Sequence, residues 1–194
     1  MSVLPATAQP VTILALGDSL TAGLGLDQTQ AFPARLEAAL KAKGIDARLI
    51  NAGVSGDTAA QGAARLEWSL TDEVDAVILE LGANDALRGL DPAQAGAALK
   101  DIVGKLRAKG LPVLVAGMRS PPNLGPDYAK SFEAIYGQFA GQDGVILYPF
   151  FLAGVAAEPK LNQPDGIHPS AEGVEVIVAR ILPEVEALIA MAKK

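Results

Sequence analysis

Five largely apolar runs of strand length, at residues 11–16, 47–54, 76–81, 112–118 and 145–150, recur along the chain with helical stretches between them. Their apolarity is continuous rather than alternating, which marks strands covered on both faces, as in a parallel sheet. The intervening segments 32–43, 59–70, 92–109 and 128–140 are rich in Ala, Leu, Lys, Glu and Gln, with apolar residues three and four apart, and predict helices. Gly44 and Gly110 follow two of these as stops, and Asp91-Pro92 supplies a cap with proline in the first turn. A last helix is expected over 171–190, with Ser170 as N-cap and Pro183 as a kink or break. Alternating strand and helix predicts an α/β fold. Right-handed crossovers then favour a three-layer α/β/α sandwich with a five-stranded parallel sheet in flavodoxin-like order 2-1-3-4-5, ligands lying at the carboxyl ends of the strands.

With 194 residues, half of them apolar, the chain suffices for one domain over residues 11–194, preceded by a flexible lead-in at 1–10. A net charge of −6 without any basic cluster argues against nucleic acid and anionic lipid, leaving a small molecule as the expected partner. Zero cysteines exclude disulfides and thiolate chemistry, and a single histidine excludes an imidazole-rich metal site, so neither metal nor cofactor is expected. No apolar stretch reaches the roughly 20 residues that span a bilayer. A soluble protein is expected, periplasmic or secreted if a leader has been removed and otherwise cytoplasmic; the oligomeric state stays open.

Two places carry chemistry. Ser19 follows the first strand in Gly17-Asp18-Ser19-Leu20, among glycines that let the backbone turn sharply and leave its hydroxyl at the sheet edge. His168 stands three residues after Asp165 in Asp165-Gly166-Ile167-His168-Pro169. That spacing lets the carboxylate reach Nδ1–H and leaves Nε2 for the serine, so nucleophile, base and orienting group are all present. Taken singly, the serine could cap a turn and the histidine could be a satisfied loop residue. Gly56 could be a plain turn glycine, and Asn84 or Asp85 a helix cap. The Gly-x-Ser-x-Gly elbow is absent, because Thr21 stands where its second glycine belongs.

The chain resembles the SGNH, or GDSL, hydrolases on four blocks in family order: Gly17-Asp18-Ser19-Leu20, Asn51 to Thr58, Leu81-Gly82-Ala83-Asn84-Asp85, and Asp165 to Pro169. Further stretches, among them Asn84-Asp85-x-Leu87-Arg88-Gly89 and Leu147-Tyr148-Pro149-Phe150-Phe151, are similar to the bacterial thioesterase I, lysophospholipase and arylesterase branch. The resemblance implies a serine esterase acting through an acyl-enzyme on Ser19. His168 would be its base and Asp165 the orienting group, with an oxyanion hole from the Ser19 and Gly56 N–H groups and the Asn84 side-chain amide. Ala83 departs mildly from the pattern, which commonly has glycine there. Substrates implied are short to medium acyl or aryl esters, with thioesters and lysophospholipids in reach.

Leu20, Leu24, Met118, Leu124 and Ile167, apolar residues in loops at the expected site, are the candidate acyl contacts. A carbohydrate O-deacetylase of the same superfamily is the alternative enzyme, disfavoured by an aromatic content of only 5%. A non-catalytic flavodoxin-like phosphate-binding module is the alternative outside enzymes. It is disfavoured because Gln28 replaces the third glycine of a Gly-x-Gly-x-x-Gly loop.

Overall fold

The strands form one parallel sheet: β1 (Val11–Gly17), β2 (Ala47–Gly53), β3 (Ala76–Glu80), β4 (Val113–Ala116) and β5 (Val145–Tyr148), in spatial order β2-β1-β3-β4-β5. The computed structural model describes residues 9–192, so the expected lead-in, apart from Gln9 and Pro10, lies outside the described residues. Every residue of β1, β3 and β4 is buried, which is why those runs read as uninterrupted apolar sequence. The edge strand β2 is only half-buried, and its Leu49 N–H donates to the Glu37 carboxylate at 2.7 Å instead of to a further strand.

Among the described residues eight α-helices surround the sheet: α1 (Ser19–Ala22), α2 (Phe32–Ala42), α3 (Ala59–Ala64), α4 (Leu66–Ser69), α5 (Ala83–Leu87), α6 (Pro92–Ala108), α7 (Pro126–Gly137) and α8 (Ala171–Ala192). Helices α2 and α8 pack together on one face, where Arg35–Glu175 and Lys43–Glu186 pair across them; α6 packs with α3 and α7 on the other. Phe32 and Phe151, both fully buried, meet edge to face with centroids 5.0 Å apart.

Three expectations need correction. The helix expected over 59–70 is interrupted at Arg65 (φ −104°, ψ 4°), whose guanidinium turns back to Gly17 O and Asp57. Helix α7 begins at Pro126, two residues early, because proline suits the first turn, and it ends at Gly137. Pro183 does not break α8. It sits on the exposed face, where water can satisfy the carbonyl it leaves unbonded, while Val174, Ile177, Ile181, Val185 and Leu188 keep one buried stripe on either side of it.

Register brings the strand ends level. Gly17 pairs with Gly53 and with Glu80, Glu80 with Ala116, and Ala116 with Tyr148. The loops that leave this row, at residues 18, 54, 81, 117 and 149, therefore emerge along one edge of the sheet.

Candidate active site

Gly17 ends β1 and lets the chain enter α1 against β3: a Cβ there would lie 2.1 Å from Thr21 Oγ1 and 2.7 Å from Glu80 Oε2. Asp18 caps α1 by accepting from Leu20 N at 3.0 Å. Ser19, 8% exposed, thus stands at the first turn with its hydroxyl at the row of strand ends.

The loop before α8 comes to meet it. Gln163 N donates to His168 O (2.7 Å), Ser170 N to Leu161 O (2.9 Å), and Gln163 Nε2 to Leu24 O (2.7 Å) and Pro169 O (3.0 Å), stitching this loop to itself and to the serine loop. Asp165 Oδ1 accepts from the N–H groups of Ile167 and His168 at 2.9 and 3.0 Å, and its Oδ2 lies 2.6 Å from His168 Nδ1. A carboxylate only accepts, so Nδ1 carries the proton and Nε2, 2.9 Å from Ser19 Oγ, accepts from the hydroxyl. The hydrogen bonds to His168 and the two backbone N–H groups hold the Asp165 carboxyl down at about 2, so it is ionised at neutral pH.

Gly56 (φ +89°) follows β2, and its carbonyl accepts from Arg88 at 2.7 Å. Among the described residues the N–H groups of Ser19 and Gly56 have no hydrogen-bond acceptor. The Asn84 amide, one residue into α5, donates to Asp18 Oδ2 (3.1 Å) and to Asp57 O (3.0 Å), so it joins the first three blocks. Behind it, Gly82 (φ +118°) brings the chain over Tyr136, whose hydroxyl donates to Leu81 O at 2.8 Å.

A second acidic layer lies beneath the serine, and the sequence reading passed over it. Glu80 is fully buried; its Oε2 accepts from Thr21 Oγ1 at 2.7 Å and from Asp18 N at 3.4 Å, and its Oε1 has no partner among the described residues. Burial, and then the Asp18 charge, push the Glu80 carboxyl well above the usual carboxylate range. Burial likewise raises Asp18 to about 6, against the lowering influence of Leu20 N–H, Asn84 and His168. The available signal was a glutamate closing an otherwise apolar central strand. Arg65 also went unforeseen: it bridges Asp57 (2.6 Å) and Gly17 O (2.8 Å), fastening the second block to the first.

The serine, the histidine and Asn84 line one cavity of about 390 Å³. Of the apolar candidates, Leu20, Met118 and Ile167 form its wall, and Leu87, Pro121, Pro122, Phe150 and Leu152 extend it. Leu24 and Leu124 are not part of that wall: Leu24 is exposed beside Gln163, and Leu124 ends the short turn Pro122–Leu124. Gly56 is not a wall residue either. A hollow of similar size, about 430 Å³, is lined by Lys41, Asp46 and Arg48 at the opposite end of β2 and holds none of the motif residues. No group of three His, Asp or Glu side chains suited to a metal occurs among the described residues, nor is any described helix long and apolar enough to cross a membrane.

The architecture and the four blocks agree with known proteins. Residues 15–176 match the model of the GDSL-like Lipase/Acylhydrolase family. The chain is 43% identical to Esterase TesA of Pseudomonas aeruginosa over 92% of its own length and 89% of the relative's. It is 37% identical to Thioesterase 1/protease 1/lysophospholipase L1 of Escherichia coli K12 over 92% and 85%. Among solved structures, AlinE4, described as a SGNH-hydrolase family esterase, superposes with a TM-score of 0.78 at 46% identity, covering 94% of this chain and 98% of that one. The chain belongs to the GDSL-like lipase/acylhydrolase, or SGNH, family, and is a serine-based ester hydrolase.

Proposed function

We propose that the chain hydrolyses short to medium acyl and aryl carboxylic esters through an acyl-enzyme on Ser19. The observation that carries this reading is the continuous relay Asp165 Oδ2, His168 Nδ1, His168 Nε2, Ser19 Oγ, with steps of 2.6 and 2.9 Å. His168 Nε2 takes the hydroxyl proton as Ser19 Oγ attacks the carbonyl carbon, and Asp165 holds the tautomer and stabilises the imidazolium that forms. The carbonyl oxygen, now an oxyanion, is held by the Ser19 and Gly56 N–H groups and the Asn84 amide, each worth roughly 10²–10³ in rate in comparable sites. Asn84 donates both of its amide protons, to Asp18 and to Asp57 O, so in this reading the oxyanion shares one of them with those acceptors. The imidazolium then protonates the departing alcohol or thiol oxygen or sulfur, and water repeats the sequence to release the acid.

An apolar wall of Leu20, Met118, Ile167, Leu87 and Phe150 favours hydrocarbon over sugar. It discriminates each methylene by only about 1–3 kcal/mol, which gives a broad ester range. The names of the relatives add thioesters and lysophospholipids as substrates to try. Labelling with a fluorophosphonate, followed by mass spectrometry, tests the nucleophile: the adduct is expected on Ser19. Ser19→Ala is expected to lower kcat on p-nitrophenyl butyrate by at least about 10³-fold with the fold intact. An adduct on another residue, or near-native turnover by the folded variant, overturns the assignment.

A further inference from the structure

The geometry points to a subsite for a carboxylate, made by Arg119 in the wall of the Ser19 cavity, so that this hydrolase favours esters that themselves carry a negative charge. The inference deepens the proposed function and rests on it for the reaction. Its first support is the charge inside the cavity. The chain carries a net charge of −6, yet no Asp or Glu lines this cavity, and Arg119 is its one permanently charged wall residue. Its second support is the way the guanidinium is held. Arg119 follows Met118 just beyond the end of β4, and its guanidinium carbon lies 4.8 Å from the centroid of the Phe150 ring, another wall residue, just beyond the end of β5. A guanidinium held over a ring by a cation–π contact keeps the N–H donors at its edges available, and such a fork can meet a carboxylate with two parallel hydrogen bonds.

That fork is only weakly engaged: among the described residues its one ion-pair partner, Glu133, is 3.9 Å away, with both side chains more than half exposed (59% and 53%), which makes a weak and readily exchanged pair. Among the described residues Arg119 donates no hydrogen bond. The adjacent Ser120, also in the cavity wall, has a buried hydroxyl without a partner among the described residues.

The test compares matched esters on the full chain: p-nitrophenyl hemisuccinate against p-nitrophenyl butyrate for a charge on the acyl side, and 3-acetoxybenzoate against 3-methylphenyl acetate for a charge on the leaving side. In one of these pairs the ratio of kcat/KM, anionic over neutral, is expected to fall about fivefold or more in Arg119→Gln and to be largely kept in Arg119→Lys, as removal of a partly screened charge pair requires. Because the readout is a ratio, a partly unfolded variant does not mimic the effect. Binding of succinanilic acid against butyranilide, followed by NMR, gives a measure free of hydrolysis, so failure of the esterase reading would leave it standing. Ratios unchanged in both ester pairs, together with equal loss of both amides on substitution, overturn the subsite.

Discussion

At the scale of single residues, the decisive feature is that each group of the proposed relay is held by hydrogen bonds to the next. Asp165 uses one oxygen for two backbone N–H groups and the other for His168, so carboxylate, loop and ring are set together. Asp165→Asn keeps an oxygen for the backbone donors but presents an NH₂ to Nδ1, which forces the proton onto Nε2, where it faces Ser19 in the wrong tautomer. We expect kcat on p-nitrophenyl butyrate to drop by about 10⁴-fold while the variant still folds at neutral pH; retention of a tenth of the activity would remove Asp165 from the relay. The Asp165 pKa near 2 adds a sign. A lowered carboxyl contributes stability above its unfolded value that is lost only as pH falls toward 2, so acid loss of activity near neutrality does not originate there.

At the scale of elements, the site depends on how strand ends convert into loops. The turn from β3 into α5 needs Gly82, because φ is +118° and a Cβ would stand 2.1 Å from the hydroxyl oxygen of Tyr136. Gly82→Ala must displace that ring and its bond to Leu81 O, so we expect a loss of about 2–4 kcal/mol in urea unfolding. Pairing it with Tyr136→Phe, which removes the colliding oxygen, should recover part of the loss. A single variant within about 0.5 kcal/mol of wild type would mean the turn tolerates a side chain. Helix α8 shows the limit of local rules. Pro183 is a breaker by its chemistry, but a buried stripe on both sides and an exposed position hold the helix through it.

At the scale of the whole molecule, the serine loop rests on two buried acids, and this couples the site to stability. Glu80 and Asp18 titrate higher folded than unfolded, so their contribution is greatest below the unfolded values, near 4, and is lost as pH rises through the folded ones. Glu80→Gln removes one of the two titrations and leaves an oxygen for the Thr21 hydroxyl. Its stability relative to wild type should therefore climb as pH rises from about 4.5, by up to about 1.4 kcal/mol per unit, in urea titrations at several pH values. A difference that stays flat with pH would remove Glu80 as a titrating group. Much of this architecture was legible beforehand. Five runs buried on both faces announce a parallel sheet, their punctuation by glycine and proline announces where loops begin, and a three-residue step between Asp165 and His168 announces a local pair. These are short-range signals, carried by residues that are neighbours in the chain. Every meeting across distance came from the folding of the chain as a whole: Ser19 with His168, 149 residues apart, Asp18 with Glu80, 62 apart, Arg65 with Gly17, 48 apart, and Arg119 with Phe150. Leu24 and Leu124 belong to the right loops but lie outside the cavity for the same reason. Composition and periodicity report what a segment must bury, whereas the partner it meets is set by the register of a sheet whose strands are joined through long crossovers.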